Sequence, residues 1–173
     1  MAKRNNKKTG VRPMADADVE HVLAWRNHME VRRYMYSQHE ITLDEHQRWF
    51  ECARQDPRKH LLIFEVDNQA MGFVSFSELE SNRIANWGFY IAPSAPKGFG
   101  RELGHAALDH AFNDIKLDKI CGEALAFNNR SIHFHKSLGF KQDSTLCDQH
   151  FDGECYHDVI FFSLLHHQWQ PKL

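Results

Sequence analysis

The feature that most constrains this chain is the stretch over residues 86–111, NWGFYIAPSAPKGFGRELGHAALDHA. It predicts a strand over residues 87–91, a turn rich in proline and glycine, and a helix that begins just after Gly98 and Gly100, because apolar residues then recur at every fourth position. Such a turn leaves the first amide groups of the helix free and directs the positive end of the helix dipole outward. The pattern indicates an anion site that suits pyrophosphate, although glycines in a tight turn with solvated basic neighbours are an equally good interpretation of the turn alone.

Two motifs connect this turn to a known superfamily. The turn lacks the glycine and lysine spacing of a P-loop and the third glycine of a dinucleotide-binding fold. Residues 95–100 instead resemble the acetyl-CoA pyrophosphate loop of the GNAT acyltransferases, Gln/Arg-x-x-Gly-x-Gly/Ala, with Ala95 departing from the long polar residue at its first position. Residues 128–140, NNRSIHFHKSLGF, resemble the second signature of that superfamily. The resemblance implies an acetyl-CoA site formed by Ile91, Lys97, Gly98, Phe99, Gly100, Arg101, Asn128 and Ser131.

Length and strand pattern predict one α/β domain. A chain of 173 residues is long enough for one full core, and we expect a disordered basic tail over residues 1–10 followed by a single domain over residues 11–169. The strand over residues 119–126 should run parallel to the strand over residues 84–91, because a helix connects them as a βαβ unit. The GNAT resemblance implies a mixed central sheet with an antiparallel N-terminal part and helices on both faces.

Composition excludes several classes of function. The formal net charge of −2 argues against a protein that covers nucleic-acid phosphates broadly. The longest apolar run, residues 159–162, is far shorter than the roughly 20 residues of a membrane helix, and the basic N-terminus lacks the apolar segment of a secretory signal. We therefore expect a cytoplasmic protein without nucleic-acid or membrane partners.

The cysteines give no metal or disulfide signature. Four cysteines show neither disulfide-like nor CxxC spacing, which indicates reduced thiols. Cys147, His150, Cys155 and His157 lie close in sequence, but their spacing fits no common zinc pattern, so we expect no metal.

Acyl transfer to an amine needs a base for the nucleophile and an acid for the leaving thiolate. Glu123 lies inside the strand beside the loop, where burial would raise the pKa of its carboxyl group toward a useful range; a solvent-facing glutamate is the alternative. His135 occupies the position at which the superfamily commonly has a tyrosine near the CoA sulfur. An imidazolium with a pKa near 6.5 could donate the proton, or His135 could serve only as a sulfur contact or helix-face residue. The oxyanion donors are expected among main-chain N–H groups near Ile91.

The segment over residues 25–40, WRNHMEVRRYMYSQHE, mixes aromatic and basic residues ahead of a Thr42–Glu45 capping box. This mixture suits a stacked base and a bound phosphate, or an ordinary helix pair with solvated arginines. Together with the WGFYI strand and the DVIFFSL ending, the segment resembles the N-acetyltransferases of pseudaminic acid biosynthesis, which acetylate the 4-amino group of UDP-4-amino-4,6-dideoxy-N-acetyl-β-L-altrosamine. That resemblance implies a nucleotide-sugar groove lined by Arg26, Met35, Tyr36, His46, Ser77 and Tyr90.

Other functions stay open. A GNAT enzyme that acetylates a protein N-terminus or an aminoglycoside is the nearer alternative, although a polycationic acceptor calls for an acidic cleft. A non-catalytic acyl-CoA-binding domain is the more distant one. The residues also leave open whether the strand ending at Leu164 pairs across a homodimer.

Overall fold

The computed structural model describes residues 7–80 and 83–171. Five α-helices are present in those ranges: Val19–Asn27 (α1), Met29–Arg32 (α2), Leu43–Gln55 (α3), Phe99–Asn113 (α4) and Asn129–Ser137 (α5). The strands are Thr9–Pro13 (β1), Lys59–Val66 (β2), Gln69–Glu78 (β3), Ile84–Ile91 (β4), Lys119–Leu125 (β5), Lys141–Phe151 (β6) and Tyr156–Leu165 (β7).

All the strands form one mixed sheet in the order β1-β2-β3-β4-β5-β7-β6. Strands β4 and β5 are parallel and are connected through α4, whereas the other neighbours are antiparallel. The predicted mixed sheet, with its antiparallel N-terminal part and parallel βαβ unit, is therefore confirmed. Sequential antiparallel neighbours need only tight connections, whereas the parallel pair needs the helical crossover.

Helices cover both faces of the sheet because the central strands are apolar on both sides. Leu62 and Phe64 of β2 point to the face covered by α4 and belong to the larger core cluster, which also contains Leu103 and Phe112. Ile63, between them, points to the opposite face and packs in a smaller cluster with residues of α1 and α3. Successive side chains of a strand alternate between faces, so an uninterrupted apolar run predicts a strand that is covered twice.

Helix α3 is capped as its sequence predicts. Thr42 Oγ1 accepts a hydrogen bond from the Glu45 amide at 3.2 Å, and Glu45 Oε2 accepts one from the Thr42 amide at 2.8 Å. This capping box fixes the start of α3 and places His46 at the end of its first turn, facing inward.

The chain ends differ in part from the prediction. Residues 1–6 of the predicted tail lie outside the described residues, but Thr9 and Gly10 belong to β1, where they pair with Val66 and Glu65. The strand therefore begins two residues before residue 11. At the other end, β7 pairs with both β5 and β6, so β6 and not the strand ending at Leu164 forms the edge of the sheet. No helix in the described ranges has the length and apolar character needed to cross a membrane.

Candidate active site

The candidate site lies where β4 and β5 separate. The two strands pair only from Ile84 to Asn86 on β4 and from Lys119 to Cys121 on β5, and beyond these residues each continues with its other neighbour. The separation opens a wedge with a cavity of about 380 Å³. Its lining comes from the end of β4, the start of α4, the end of β5, α5 and the α2 segment.

Main-chain groups of β4 point into this wedge. The Ala92 amide donates a hydrogen bond to the Met71 carbonyl of β3 at 2.8 Å. Because the hydrogen-bonding direction alternates along a strand, the amides of Phe89 and Ile91 point away from β3 and toward the wedge. Ile91 thus directs its main-chain N–H toward the wedge.

The glycine turn forms one end of the cavity. Gly98 has φ near +97°, a left-handed conformation that favours glycine, and it caps α4. A Cβ atom on Gly100 would meet no protein atom within 4 Å, and Gly100 lines the cavity together with Ala95. This open space at the start of α4 fits a pyrophosphate close to the backbone. The neighbouring Lys97 and Arg101 are exposed, and Phe99 is half-buried beneath Lys7 Nζ, which lies 4.9 Å from the ring centroid.

The predicted residues at the start of α5 also line the cavity. Asn128 Oδ1 accepts a hydrogen bond from the Ser131 amide at 3.1 Å, so Asn128 is the N-cap of the helix. Both side chains lie on the cavity wall. The cap satisfies one of the free amides of the helix and fixes the direction in which α5 leaves β5.

The structure contradicts the prediction that His135 is an imidazolium acid. His135 is 1% exposed. Its Nδ1 lies 2.8 Å from the Ser131 carbonyl, to which it must donate, and its Nε2 accepts a hydrogen bond from Trp87 Nε1 at 3.1 Å. Burial lowers the pKa of His135 to about 4, so the ring is neutral near pH 7 and carries no proton on Nε2. His135 packs flat against Phe162 and serves the core.

Glu123 does line the cavity, but it is exposed and not buried as predicted. Its neighbour across the cavity is Tyr36. Burial, followed by the charge of Glu123 and a hydrogen bond to it, raises the pKa of Tyr36. The tyrosine therefore stays protonated near neutral pH, and its hydroxyl can orient the Glu123 carboxylate.

A second cavity, of about 410 Å³, lies on the α1/α3 side of β4. Arg26 and His46 both line it. Arg26 Nη2 donates to the Ser37 carbonyl at 2.9 Å, while the buried Nη1 has no hydrogen-bond partner within residues 7–80 and 83–171. His46, 4% exposed, is hydrogen-bonded to the Val19 main chain, and its Nε2 is also without a partner in those ranges.

Burial and then the charge of Arg26 lower the pKa of His46, and burial lowers the pKa of Arg26. Two buried nitrogen atoms that lack partners, on two residues lining one cavity, are typical of a site for an acidic group. A bound anion would supply the missing hydrogen bonds and would raise both pKa values again.

The two cavities meet at β4. Met35 and Tyr90, both predicted for substrate binding, line both cavities, as do Gly88 and Phe89. Tyr36 lines the first cavity only. Residues 88–90 of β4 thus separate the two cavities. A molecule bound beside α4 and α5 and another bound beside α1 and α3 would approach one another across these residues.

One predicted residue is misplaced, and one aromatic residue had no assigned role. Ser77 lines neither cavity; Ser75, two residues earlier on the same face of β3, lines the second.

Trp49 lies three residues after His46 on α3, and its ring stacks on the imidazole with a centroid separation of 4.9 Å. The spacing of three along a helix is the signal that could have grouped Trp49 with His46.

Comparison with known proteins agrees with this geometry. The family model described as "Acetyltransferase (GNAT) domain" matches residues 8–141. Acetyltransferase PseH of Campylobacter jejuni is 26% identical over 71% of this chain and 76% of its own, and spermidine N(1)-acetyltransferase of Escherichia coli K12 is 24% identical over 92% and 87%. A crystal structure of spermidine N-acetyltransferase from Vibrio cholerae in complex with CoA and spermine has a TM-score of 0.85 at 23% identity, covering 92% of this chain and 96% of that one. The chain belongs to the GNAT acetyltransferase family.

Proposed function

We propose that this protein transfers the acetyl group of acetyl-CoA to an amine on an anionic acceptor, specifically the 4-amino group of a UDP-linked 4-amino-4,6-dideoxy-N-acetylhexosamine of the altrosamine type. The likeness to acetyltransferase PseH supports this acceptor class. The observation that carries the proposal is the pair of buried nitrogen atoms, Arg26 Nη1 and His46 Nε2, which have no hydrogen-bond partners in residues 7–80 and 83–171 and belong to two residues that line the second cavity.

The surroundings of Arg26 favour an acidic acceptor. Among the described residues Arg26 forms no ion pair, although a carboxylate, Glu45, lines the same cavity. That carboxylate is occupied by the α3 capping box and by His39, whose Nε2 lies 3.3 Å from Glu45 Oε1. A diphosphate would satisfy the free guanidinium nitrogen and the imidazole together. Trp49, 36% exposed, offers a ring beside them on which a nucleotide base could stack.

On the donor side, the glycine turn and the wedge receive acetyl-CoA. The start of α4 binds the pyrophosphate through main-chain amides near Gly98 and Gly100, while Lys97 and Arg101 add charge at the mouth. Acetyl-CoA supplies an activated thioester carbonyl. The Ile91 amide is placed to donate a hydrogen bond to the oxygen that gains charge as the amine adds.

The acceptor amine loses its proton to Glu123, directly or through one water molecule. The exposed carboxylate can reach an ammonium that enters from the second cavity past Met35 and Tyr90, and Tyr36 orients it. His135, neutral and with both ring nitrogens occupied, takes no part in the proton transfer. The leaving thiolate takes its proton from water.

A polyamine acceptor is the second candidate. Two carboxylates, Glu30 and Glu123, line the first cavity and could bind a cationic chain. Spermidine N(1)-acetyltransferases of Escherichia coli and Vibrio cholerae are 24% identical to this chain. The free Arg26 beside the acceptor path disfavours this candidate, because a polycation would meet an unpaired positive charge there.

Calorimetric titration with UDP-N-acetylglucosamine, a nucleotide sugar whose diphosphate does not titrate near neutral pH, tests the acceptor class. We expect binding that weakens about 10- to 100-fold in Arg26→Gln, since a hydrogen-bonded charge is lost. Arg48→Gln is the matched control, because Arg48 is exposed on α3, pairs with Asp44 and lines neither cavity. Failure of the wild type to bind the nucleotide sugar, or equal binding by Arg26→Gln, would remove the anionic acceptor from the proposal.

A further inference from the structure

The turn between β6 and β7 brings together three side chains that the acetyl-transfer site does not use. These are Asp152, Cys155 and His157, whose potential ligand atoms all lie within 4.8 Å of one another. We propose that this triad binds a borderline transition-metal ion, with Zn²⁺ the best match. The ion is separate from the acetyl-transfer chemistry, which needs no metal ligand from this turn.

The distances between the ligand atoms are close to those of a tetrahedral zinc site. Cys155 Sγ lies 3.4 Å from His157 Nε2 and 3.6 Å from Asp152 Oδ2. Zinc bonds of about 2.3 Å to sulfur and about 2.0–2.1 Å to nitrogen and oxygen place such atoms about 3.5 Å apart. The third separation, between Nε2 and Oδ2, is 2.5 Å, a direct hydrogen bond that an ion would open to about 3.3 Å. Two of the three edges of the ligand triangle therefore already have the required length.

The main chain prepares the carboxylate for this role. Asp152 Oδ1 accepts hydrogen bonds from the amides of Glu154 at 2.8 Å and Cys155 at 2.9 Å, which leaves Oδ2 directed at the thiol and the imidazole. Gly153, with φ near +105°, provides the left-handed residue in this turn. A ligand whose other oxygen is fixed by hydrogen bonds is oriented in the way that metal-binding carboxylates usually are.

The donor set decides the class of metal. One thiolate, one imidazole and one carboxylate suit Zn²⁺, Co²⁺ or Ni²⁺, whereas Mg²⁺ and Ca²⁺ prefer oxygen ligands alone. Binding replaces the proton of the Cys155 thiol and the hydrogen bond between His157 and Asp152 by bonds to the ion, and the displaced protons go to solvent. Water fills the fourth tetrahedral position.

The sequence places four other candidate ligands close together, namely Cys147, His150, Cys155 and His157, but the spacing of these four residues fits no common zinc pattern. In the structure, two of these residues, Cys155 and His157, lie beside Asp152 at the turn of the hairpin. His150 pairs with His157 across the hairpin, with ring centroids 6.5 Å apart, and also contacts Tyr36 in a tilted arrangement with ring centroids 4.8 Å apart. It therefore flanks the triad and connects it to the wall of the first cavity.

Titration of the purified, tag-free protein with Co²⁺, followed by displacement with Zn²⁺, tests the site. We expect one equivalent of Co²⁺ to give a thiolate-to-metal charge-transfer band that Zn²⁺ removes. Cys155→Ser should abolish the band and weaken Zn²⁺ binding at least about tenfold in a competition with a chromophoric chelator. Cys147→Ser, which removes another exposed thiol of the same hairpin, should change neither.

Two results would overturn the proposal. Absence of the charge-transfer band would show that no thiolate binds the ion. Binding only at other histidines, such as the exposed pair His166 and His167, would give the same result. Retention of the band and of the affinity in Cys155→Ser would assign it to another cysteine. Both cysteines are exposed, so neither substitution disturbs the core.

Discussion

Trp87 Nε1 donates a hydrogen bond to His135 Nε2 across 3.1 Å inside the core, and Gly122 provides the space for it. A Cβ atom on Gly122 would lie 2.5 Å from His135 Nε2 and 2.6 Å from Trp87 Nε1. The pair joins β4, β5 and α5 beside the point where the two strands separate. His135, at the position where the superfamily commonly has a tyrosine, thus stabilises the core beside the wedge.

Replacement of His135 by phenylalanine should affect stability much more than turnover. The substitution leaves the Trp87 N–H and the Ser131 carbonyl without their present partner, which costs about 1–3 kcal/mol in the free energy of unfolding. Urea denaturation measures that loss. The rate of acetyl transfer per folded molecule should stay within a few-fold of wild type, and a loss of about 10²-fold would restore His135 as the general acid.

The stability of the protein should fall between about pH 6.5 and pH 4 because of the same residue. The pKa of His135 is about 4 in the folded chain and near 6.5 in the unfolded chain, so the unfolded chain takes up the proton first as the pH falls. The contribution of His135 to the free energy of unfolding is complete above pH 6.5 and is about 3 kcal/mol smaller at pH 4. Denaturation curves at several pH values should show a smaller acid loss for His135→Phe than for wild type, and parallel losses in the two proteins would contradict the buried neutral state.

Glu123→Gln should slow acetyl transfer about 10²-fold while leaving acetyl-CoA affinity nearly unchanged, because the amide keeps the shape of the side chain but cannot accept the proton. Single-turnover rates and equilibrium binding of acetyl-CoA separate the two effects. Glu30→Gln is the matched control, since Glu30 is a carboxylate of the same cavity with no role in the proposed proton transfer. Equal losses in both variants would indicate a general effect of charge in the cavity.

Gly100→Ala should weaken acetyl-CoA binding without destabilising the fold. The added methyl group meets no protein atom within 4 Å, so it would occupy space that the proposed pyrophosphate needs. Gly10→Ala on β1 is a control with equally open surroundings at a residue that lines neither cavity. We expect at least about a tenfold rise in the dissociation constant for Gly100→Ala only. An unchanged constant would place the pyrophosphate elsewhere.

Local patterns made much of the fold predictable. The Thr42–Glu45 capping box, the glycine turn before α4 and the strand Ile84–Ile91 are set by residues adjacent in sequence, and the structure has them where they were expected. The parallel pairing of β4 and β5 followed from the helical crossover between them. These features depend on short-range rules of turns, caps and strand patterning.

The errors concern residues whose environment is set by distant parts of the chain. His135 is neutral because Trp87, 48 residues earlier, and Phe162, on β7, enclose it, and no local pattern signals either contact. Glu123 is exposed because β4 leaves β5 after Asn86, which the βαβ unit alone does not reveal. Ser77 has the same side-chain orientation as Ser75 by strand alternation, but the position of the cavity along β3 depends on how α1 and α3 pack.

The most direct test of the proposed acceptor is a comparison of kcat/KM for two amines with the purified enzyme and acetyl-CoA, followed by release of free thiol. One amine is the UDP-linked 4-amino-4,6-dideoxy-N-acetylhexosamine and the other is spermidine. We predict a kcat/KM at least about 10²-fold higher for the nucleotide sugar, with that preference reduced in Arg26→Gln through a higher KM. A preference for spermidine, unchanged or increased by Arg26→Gln, would contradict an anionic acceptor while leaving the acetyltransferase family assignment in place.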